Sequence, residues 1–438
     1  MPNDADDDRG RSTRAAAAGD RAAGSPATES PAAEKRATRG PAAGPGSAAL
    51  TLLSDLVRID SVNPALVAGA AGEAAIARFV ADWAEARGLE TRWLEPVAGR
   101  PSVVVTARGR GARRGARRGS SGGDGRSGGR RLMLNAHLDT VGVEGMAAPF
   151  EPRVEDGRLY ARGALDMKSG LAACMAALEA AAGAGLRGDV VLAAVADEEH
   201  ASIGTEAVLE EVRADAAVVA EPSNLELHLA HRGFAVFDVR TRGVASHTSQ
   251  PERGVNAVAH MGRVLAEIDR LHAELSSRPA HPLAGRGSAQ AVRVEGGEEL
   301  FVTPAACRLS YERRTLPGED RALAEGELAQ ALARAGAGVA GFDASAELVL
   351  LREPFEVDGA EAIVEVARGH AAGVLGRQPV VAGAPYWTDA ALLQAAGIPT
   401  LVLGPRGDGL HAADEHVELA SVGALERILT GIAESFCG

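Results

Sequence analysis

Histidines and carboxylates follow apolar runs at several places along the chain. The run LMLNAHLDT ends in His137 and Asp139, which are two residues apart and therefore point to the same side of an extended strand. Asp166 follows a glycine-bearing turn and precedes apolar residues at helical spacing, which places its carboxylate at a strand-to-helix junction. Imidazole with carboxylates is a ligand set that suits zinc, cobalt or manganese. The stretch indicates a metal site, although each residue alone is equally well explained as a strand cap or a solvated loop acid.

More acidic residues and another histidine stand at similar places. Glu198 and Glu199 end the apolar run VVLAAVADEEH. Glu221 ends AAVVAEPS, and His411 follows TLVLGP. The carboxyl ends of strands in a mainly parallel sheet share one edge, and binding sites form beyond that edge. We therefore predict that these residues form one constellation with those of the first stretch.

The elements that would position these residues fall into three stretches. Strands alternate with amphipathic helices over residues 48–233, which predicts an α/β catalytic domain with a mainly parallel sheet covered by helices on both faces. Over residues 234–350 the pattern changes to strands with a solvated face and two amphipathic helices, which predicts an inserted α+β sandwich. The α/β pattern resumes over residues 351–438 and supplies His411. A chain that returns to complete its site implies a catalytic domain with an inserted lid.

Composition and charge limit the possible partners. The 438 residues are 46% hydrophobic, which is enough for two cores, and the net charge is −13. Residues 1–47 are rich in Ala, Pro, Gly and Ser and predict a disordered tail. Residues 108–131 hold nine arginines and one aspartate, and we interpret them as a loop insertion between two strands. We do not expect nucleic acid as the main partner, because the rest of the chain is acidic. The insertion alone could bind RNA weakly, but it has no aromatic residue to stack a base, which favours the solvated loop.

Cysteine usage and hydropathy bear on the compartment. The three cysteines are widely scattered, which excludes a disulfide framework and a Cys-based zinc site and fits a reducing cytosol. No apolar run is long enough to span a membrane, and the amino terminus has no apolar signal region. We therefore expect a cytoplasmic protein without a membrane partner.

Seven segments together resemble one family of metallohydrolases. Their order and spacing are similar to those of the dizinc family that includes acetylornithine deacetylase, succinyl-diaminopimelate desuccinylase, aminoacylase and glutamate carboxypeptidase. The resemblance extends from about residue 48 to the end of the chain. Single motifs of this kind are weak, but seven in the right order are strong. The segments are HLDT, DGRLYARGALDMKSG, DEEHASIGT, AEPS, GVASHTSQPERGVNA, ERRTLPGE and GLHAADEHV.

This resemblance implies two bound divalent ions, with zinc as the first expectation and cobalt or manganese as alternatives. His137 and Glu221 would hold one ion. Glu199 and His411 would hold the other, and Asp166 would bridge the two. Such a pair of ions acidifies a shared water molecule, which can then attack an amide carbonyl.

The resemblance also implies roles for residues that are not ligands. Glu198 would be the general base, and Asp139 would accept the second ring N–H of His137 and so fix its tautomer. His247 in the lid would donate to the oxyanion, and Arg314 would bind a substrate carboxylate. Judged from the local sequence alone, a surface-loop histidine is the better explanation of His247, and a strand-face salt bridge explains Arg314 equally well.

The chain departs from the family pattern around the expected substrate pocket rather than among the ligands. Phe301 stands in FVTP where relatives often have Asn, and Arg406 stands where Gly is usual. Trp387 replaces a residue that is small in many members, and a large ring near the pocket would narrow or shape it. These changes affect the choice of substrate and leave the ligand set intact.

The predicted protein is a homodimer, paired through its lid, that removes the acyl group from a small N-acyl amino acid as acetylornithine deacetylases do. A dipeptidase or carboxypeptidase is the alternative, because the same site cleaves either bond and only the pocket selects the substrate. A non-catalytic scaffold on this fold is less favoured because all five ligands and the base are present. By the same resemblance the lid histidine would enter the partner's site. We further expect the lid segment FAVFDV to be an edge strand that pairing covers.

Overall fold

The structure is a computed structural model that describes residues 47–111 and 128–438. The predicted disordered tail lies outside these ranges except for Ser47, and only the two ends of the Arg/Gly-rich insertion fall inside them. The helices are α1 (Ala48–Leu56), α2 (Ala74–Glu85), α3 (Lys168–Ala184), α4 (Ile203–Glu211), α5 (Ala257–Ser277), α6 (Arg321–Gly336), α7 (Ala362–Leu375), α8 (Ala390–Ala395) and α9 (Leu419–Cys437). The strands are β1 (Glu90–Val97), β2 (Arg100–Ala107), β3 (Leu132–His137), β4 (Arg153–Glu155), β5 (Arg158–Tyr160), β6 (Val190–Val195), β7 (Ala216–Val219), β8 (Leu227–His231), β9 (Gly233–Arg242), β10 (Ser288–Gly296), β11 (Ala306–Thr315), β12 (Asp343–Arg352), β13 (Phe355–Glu356), β14 (Val381–Ala384), β15 (Thr400–Val402), β16 (Gly407–Asp408) and β17 (His416–Glu418).

The largest sheet has the order β1-β2-β6-β3-β7-β15-β8-β13, with β14 also paired to β8. Its centre, β6-β3-β7-β15, is parallel, whereas β1, β2 and β13 pair antiparallel. Every residue of β3, β6 and β7 is buried, as expected for strands covered on both faces. Helix α3 packs on α1, on α9 and on strands β2, β3 and β6, while α4 and α8 contact each other and also lie against strands of this sheet. The predicted α/β architecture is confirmed, whereas β8 and α9 are not identified from the sequence.

A second, antiparallel sheet has the order β10-β11-β9-β12 and is packed against α5 and α6 around its own apolar core. This separate domain matches the predicted α+β lid. The expectation that FAVFDV is an edge strand is wrong, because it lies within β9, which pairs with β11 on one side and β12 on the other. Both ladders run over nearly the whole length of β9, which leaves β10 and β12 as the edges of this sheet.

A small sheet with the order β16-β17-β5-β4 brings two distant parts of the chain together. Strand β5 precedes the turn that carries Asp166, and β17 follows the loop that carries His411. The two strands pair antiparallel, with His416 opposite Tyr160. This pairing holds the loop that carries His411 beside the turn that carries Asp166, just before α3 begins. Among the described helices, none is both long and apolar enough to cross a bilayer.

Candidate active site

The carboxyl ends of three neighbouring strands deliver the predicted acidic residues and the first histidine. Strand β3 ends at His137, the pair Glu198 and Glu199 follows β6, and Glu221 follows β7. Because β3 pairs in parallel with both β6 and β7, these three ends lie side by side. The arrangement follows from three buried, mainly apolar strands that stop where the sequence becomes polar.

The first group of possible ligands is His137, Asp166 and Glu221. Nε2 of His137 lies 3.0 Å from Oδ1 of Asp166 and 3.3 Å from Oε1 of Glu221. The ligand atoms of the three residues all lie within 4.8 Å of one another. One imidazole nitrogen and two carboxylates therefore converge on one point. The peptide bond that follows Asp166, to Met167, is cis.

The second group is Asp166, Glu199 and His411. Nε2 of His411 lies 3.3 Å from Oδ2 of Asp166 and 3.2 Å from Oε2 of Glu199. The ligand atoms of this group also lie within 4.8 Å of one another. Asp166 thus faces His137 with Oδ1 and His411 with Oδ2, so each ligand group could hold one ion and this carboxylate could serve both.

The electrostatics of the pocket favour positive charge. Burial, together with the nearby Asp166, raises the pKa of Glu221 to about 8. Hydrogen bonds to Asp166 and Glu199 raise the pKa of His411 to about 10. Oε1 of Glu199 is buried and has no hydrogen-bond partner within the described residues. Nitrogen and oxygen donors in an acidic pocket, with one buried oxygen unpaired, fit two divalent cations such as zinc, cobalt or manganese.

Glu198 belongs to neither ligand group, yet it lies in the same pocket. Burial raises the pKa of its carboxyl group well above the ordinary range, and the neighbouring Glu221 adds to this effect. Its backbone N–H donates to Oδ1 of Asp139 at 3.1 Å. A partly buried carboxyl group beside a ligand cluster, and not itself part of it, is placed as a general base would be.

Asp139 lies behind the ligands and holds the turn that follows β6. Its Oδ1 accepts the N–H of Glu198, and its Oδ2 accepts the N–H of Glu199 at 3.2 Å. Nδ1 of His137 lies 2.9 Å from the main-chain oxygen of Asp139 and 3.7 Å from its carboxylate Oδ1. The carbonyl group, rather than the carboxylate, is therefore the nearer acceptor for this ring. The carboxylate is instead engaged by the two backbone N–H groups, and Nε2 of His137 still faces Asp166.

The loop that carries Asp166 is held by a buried carboxylate that sequence reasoning did not single out. The carboxylate of Glu415 accepts a hydrogen bond from Nη1 of Arg162 at 2.6 Å. It also accepts hydrogen bonds from the backbone N–H groups of Gly163, Leu165 and Asp166 at 2.8–3.1 Å. Glu415 and Arg162 are almost fully buried. The acid lies within the segment GLHAADEHV, but nothing in its local pattern distinguishes it from the solvated acids nearby.

The two lid residues lie outside both ligand groups. His247 is exposed, and its Nδ1 accepts the backbone N–H of Ser249 at 3.2 Å and lies 2.8 Å from its hydroxyl. Because a backbone N–H can only donate, the proton of the neutral ring is on Nε2. Arg314 donates to both oxygens of Glu312 on its own strand, at 2.8 and 3.1 Å, and its guanidinium lies 4.9 Å from the ring centroid of Phe234.

Phe301 and Trp387, which depart from the family pattern, differ in their surroundings. Phe301 is 69% exposed and has a φ of 68°. Trp387 lies edge-on to His231, with ring centroids 6.0 Å apart. The preceding residue, Tyr386, donates its hydroxyl to the carbonyl oxygen of Pro222, and burial together with nearby carboxylates raises its pKa. Trp387 therefore adjoins the segment that borders the ligand cluster.

Curated relatives share most of the chain with this protein. An acetylornithine deacetylase from Erwinia tasmaniensis is 29% identical over 324 residues, which are 71% of this chain and 82% of the relative. Another from Salmonella arizonae is 30% identical over 319 residues, which are 70% of this chain and 80% of the relative.

Solved structures share the fold. The aminopeptidase PepT from Bacillus cereus has a TM-score of 0.71 at 19% identity and covers 89% of this chain and 98% of its own. A Bacillus subtilis protein described as a dinuclear metal binding peptidase from the M20 family has a TM-score of 0.67 at 16% identity and covers 89% and 97%. The family model described as Peptidase family M20/M25/M40 matches residues 133–435. Because this model matches more than half of the residues and a curated relative is 30% identical over 70% of the chain, the chain belongs to Peptidase family M20/M25/M40 and is a metal-dependent hydrolase of amide bonds.

Proposed function

We propose that the protein removes the acyl group from a small N-acyl amino acid, with acetylornithine-like substrates as the first candidates. The observation that carries this proposal is the position of Asp166, whose two oxygens face His137 and His411 while Glu198 lies unassigned beside them. The acetylornithine deacetylase relatives, at about 30% identity, support this substrate class.

The residues of the chain divide the reaction among them. His137, Glu221, Glu199, His411 and Asp166 would hold two divalent ions, zinc first among them, which when bound polarise the amide carbonyl and acidify a water molecule. Glu198, the proposed base, takes one proton from a water molecule as the oxygen of that water attacks the carbonyl carbon. It then delivers the proton to the amine nitrogen as the C–N bond breaks, which yields a free amine and a carboxylic acid that ionises by losing its proton to water.

The lid supplies the remaining contacts in this proposal. His247 carries its ring proton on Nε2, and that N–H is available to donate to the developing oxyanion. Arg314 uses one edge of its guanidinium for Glu312, which leaves other N–H groups for a substrate carboxylate.

Pairing of two chains through the lid is part of the same proposal. The lid exposes apolar side chains on and beside its edge strand β10, namely Val292, Val294, Leu300 and Phe301, with Leu300 84% exposed. An unpaired strand edge with apolar neighbours is a surface that a second copy can cover. The free, buried cysteines at positions 174, 307 and 437 support a reducing compartment, and we propose the cytoplasm.

The test is an assay of purified protein loaded separately with zinc, cobalt or manganese. We expect hydrolysis of N-acyl amino acids, its loss after a strong chelator, and its recovery when zinc or cobalt is returned. Full activity of the chelated protein would contradict the proposed mechanism. Dipeptides belong in the same panel, because peptidases share this fold and a dipeptidase or carboxypeptidase is the second candidate. Faster turnover of dipeptides than of N-acyl amino acids would establish that second function.

A further inference from the structure

A buried set of polar side chains lies behind the turn that carries Glu198. Asn63, Glu73 and Asp197 are between 0 and 2% exposed, and the side chain of Arg100 is 11% exposed. Nε and Nη2 of Arg100 each donate to one carboxylate oxygen of Glu73 at 2.6 Å. Nη2 also donates to Oδ1 of Asp197 at 2.8 Å. One guanidinium thus joins the start of α2 to the residue that precedes the proposed base.

Asn63 connects this set to Asp139. Its Nδ2 donates to Oδ2 of Asp139 at 2.8 Å and to Oδ1 of Asp197 at 3.0 Å. Its Oδ1 accepts the N–H of Ala65 at 2.9 Å and Nη2 of Arg100 at 3.0 Å. A side-chain amide has two donor hydrogens and two acceptor lone pairs, so Asn63 uses all of its hydrogen-bonding capacity. An aspartate here would turn both donors into acceptors facing two carboxylates.

The two carboxylates that Asn63 holds border the proposed base on both sides. Asp139 binds the backbone N–H groups of Glu198 and Glu199. Asp197 has a φ of 69°, in the left-handed region that residues other than glycine rarely adopt. Such a conformation persists only where surrounding contacts hold it. Asn63 therefore contacts both carboxylates that hold this turn, and Arg100 contacts one of them.

We propose that Asn63 and Arg100 are positioning residues that hold Glu198 at the reaction centre through Asp139 and Asp197. The structural reason is that the side chains of two adjacent glutamates must have different surroundings. The carboxylate of Glu199 lies 3.2 Å from Nε2 of His411, whereas Glu198 belongs to neither ligand group. A turn with a fixed backbone keeps the two side chains apart. This inference rests on the proposed function, since it assumes that Glu198 is the base.

The main test is Asn63→Ala in the full chain loaded with cobalt. We expect kcat to fall by ~10–100-fold and KM to stay within ~3-fold, because a misplaced catalytic group costs turnover rather than binding. Cobalt content and the visible absorption of the bound cobalt should match the wild type. In the Glu198→Gln background the same substitution should change kcat by less than ~2-fold, because a residue that acts through the base has no further effect once the base is gone.

The control is Asp320→Ala, which removes the amino-terminal cap of α6 in the lid without contact to this set. It should lower the thermal midpoint and leave kcat unchanged. If Asn63→Ala does not fold, Arg100→Lys replaces it, since a lysine keeps the charge but cannot bind Glu73 with two parallel N–H groups. That variant should also lower kcat at unchanged KM.

Three results would overturn the proposal. They are an unchanged kcat in a folded Asn63→Ala protein, an equal loss of kcat in the Glu198→Gln background, and a loss of cobalt that accounts for the lost activity. An inactive wild-type protein would instead contradict the proposed function. In that case a crystal structure of Asn63→Ala decides the matter, because an undisplaced Glu198 carboxylate would overturn the positioning role without any activity measurement.

Discussion

Each oxygen of Asp166 faces a different histidine, and this residue is where the two ligand groups meet. Its carboxylate must keep one orientation toward His137 and His411, although it lies on a loop. The buried pair Arg162–Glu415 supplies that orientation, because Glu415 accepts hydrogen bonds from the backbone N–H groups of Gly163, Leu165 and Asp166. Removing one partner of a buried ion pair costs on the order of 3–5 kcal/mol, so this loop is held firmly.

The first prediction at this scale concerns the base. Glu198→Gln should retain the metal content of the wild type and lower kcat by at least ~10²-fold, because an amide cannot accept the proton of the attacking water. Steady-state kinetics and metal analysis of the same preparation check this. Glu206→Gln, an exposed acid in the first turn of α4, is the matched control and should keep wild-type kcat. Near-normal turnover of Glu198→Gln would assign the base to another residue.

A second residue-scale prediction concerns pH and stability. Burial lowers the pKa of His231 to about 4 from its ordinary 6.5, while Nε2 accepts the N–H of Thr388 and Nδ1 donates to the carbonyl of Arg232. The unfolded chain binds a proton near pH 6.5 and the folded chain only near pH 4. The contribution of the neutral ring to stability is therefore complete above that window and is lost as the pH falls through it.

His231→Gln should consequently flatten the dependence of unfolding free energy on pH. Between about pH 6.5 and about pH 4 the slope should decrease by up to about 1.4 kcal/mol per pH unit, the value for one proton. Denaturant unfolding at several pH values measures both slopes. Equal slopes for the variant and the wild type would show that this ring does not titrate differently on folding.

At the scale of elements, the strand ends explain most of the site, and the β5–β17 ladder explains the rest. Strands β3, β6 and β7 bring their ends together by direct pairing. The loop with His411 arrives from far along the chain, and the ladder between β5 and β17 holds it against the turn with Asp166. Two features of the fold thus form the site: the adjacent ends of paired strands, and the small sheet that joins distant parts of the chain.

The Arg/Gly-rich insertion gives an element-scale prediction. Its described ends lie against each other: a Cβ built on Gly111 would be 2.7 Å from the backbone nitrogen of Gly128. Gly109 and Arg110 are anchored to Asp189 and to the carbonyl of Leu186. Deleting residues 112–127 and joining the two glycines should therefore leave kcat/KM within a few-fold and the thermal midpoint nearly unchanged.

The control for this deletion is a longer deletion, of residues 109–129, which also removes Gly109 and Arg110 and their hydrogen bonds to Asp189 and Leu186. It should lower the thermal midpoint more than the short deletion does, as measured by differential scanning calorimetry. Loss of folding in the short deletion would show that the insertion is structural.

At the scale of the whole molecule, the described residues form two apolar cores, one on the large, partly parallel sheet and one in the lid, each with its own sheet. The lid places β10 and β12 at its edges, and apolar side chains beside β10 are exposed. In the proposed dimer these edges are covered, and His247 would act in the site of the partner chain. The exposed position of His247, whose Nε2 has no hydrogen-bond partner among residues 47–111 and 128–438, is compatible with such a role.

Mixing two inactive variants tests this arrangement. His247→Ala alone and Glu198→Gln alone should both be nearly inactive. After the two are mixed and refolded, heterodimers have one site that carries both wild-type groups, so activity should return to about a quarter of the wild type from statistical pairing. Native mass spectrometry confirms that heterodimers form. If they form without any recovered activity, His247 acts within its own chain or has no role.

The sequence by itself determined the features that depend on neighbours along the chain. Apolar runs that end in His137, Glu199 or Glu221 predict strands and the edge at which those residues meet, because periodicity and strand polarity are local properties. The change of pattern near residue 234 likewise predicts a separate lid, and the second core confirms it.

Only the tertiary structure decided which distant residues touch. Strand order is an example, since β9 reads as a half-solvated strand whether it lies at an edge or, as it does, between two partners. The contacts of Asn63 with Asp139 and of Glu415 with the Asp166 loop join residues 76 and 249 positions apart. Such pairs leave no periodic signal, because burial and hydrogen-bond partners across the fold, rather than the adjoining sequence, make these polar residues part of the site.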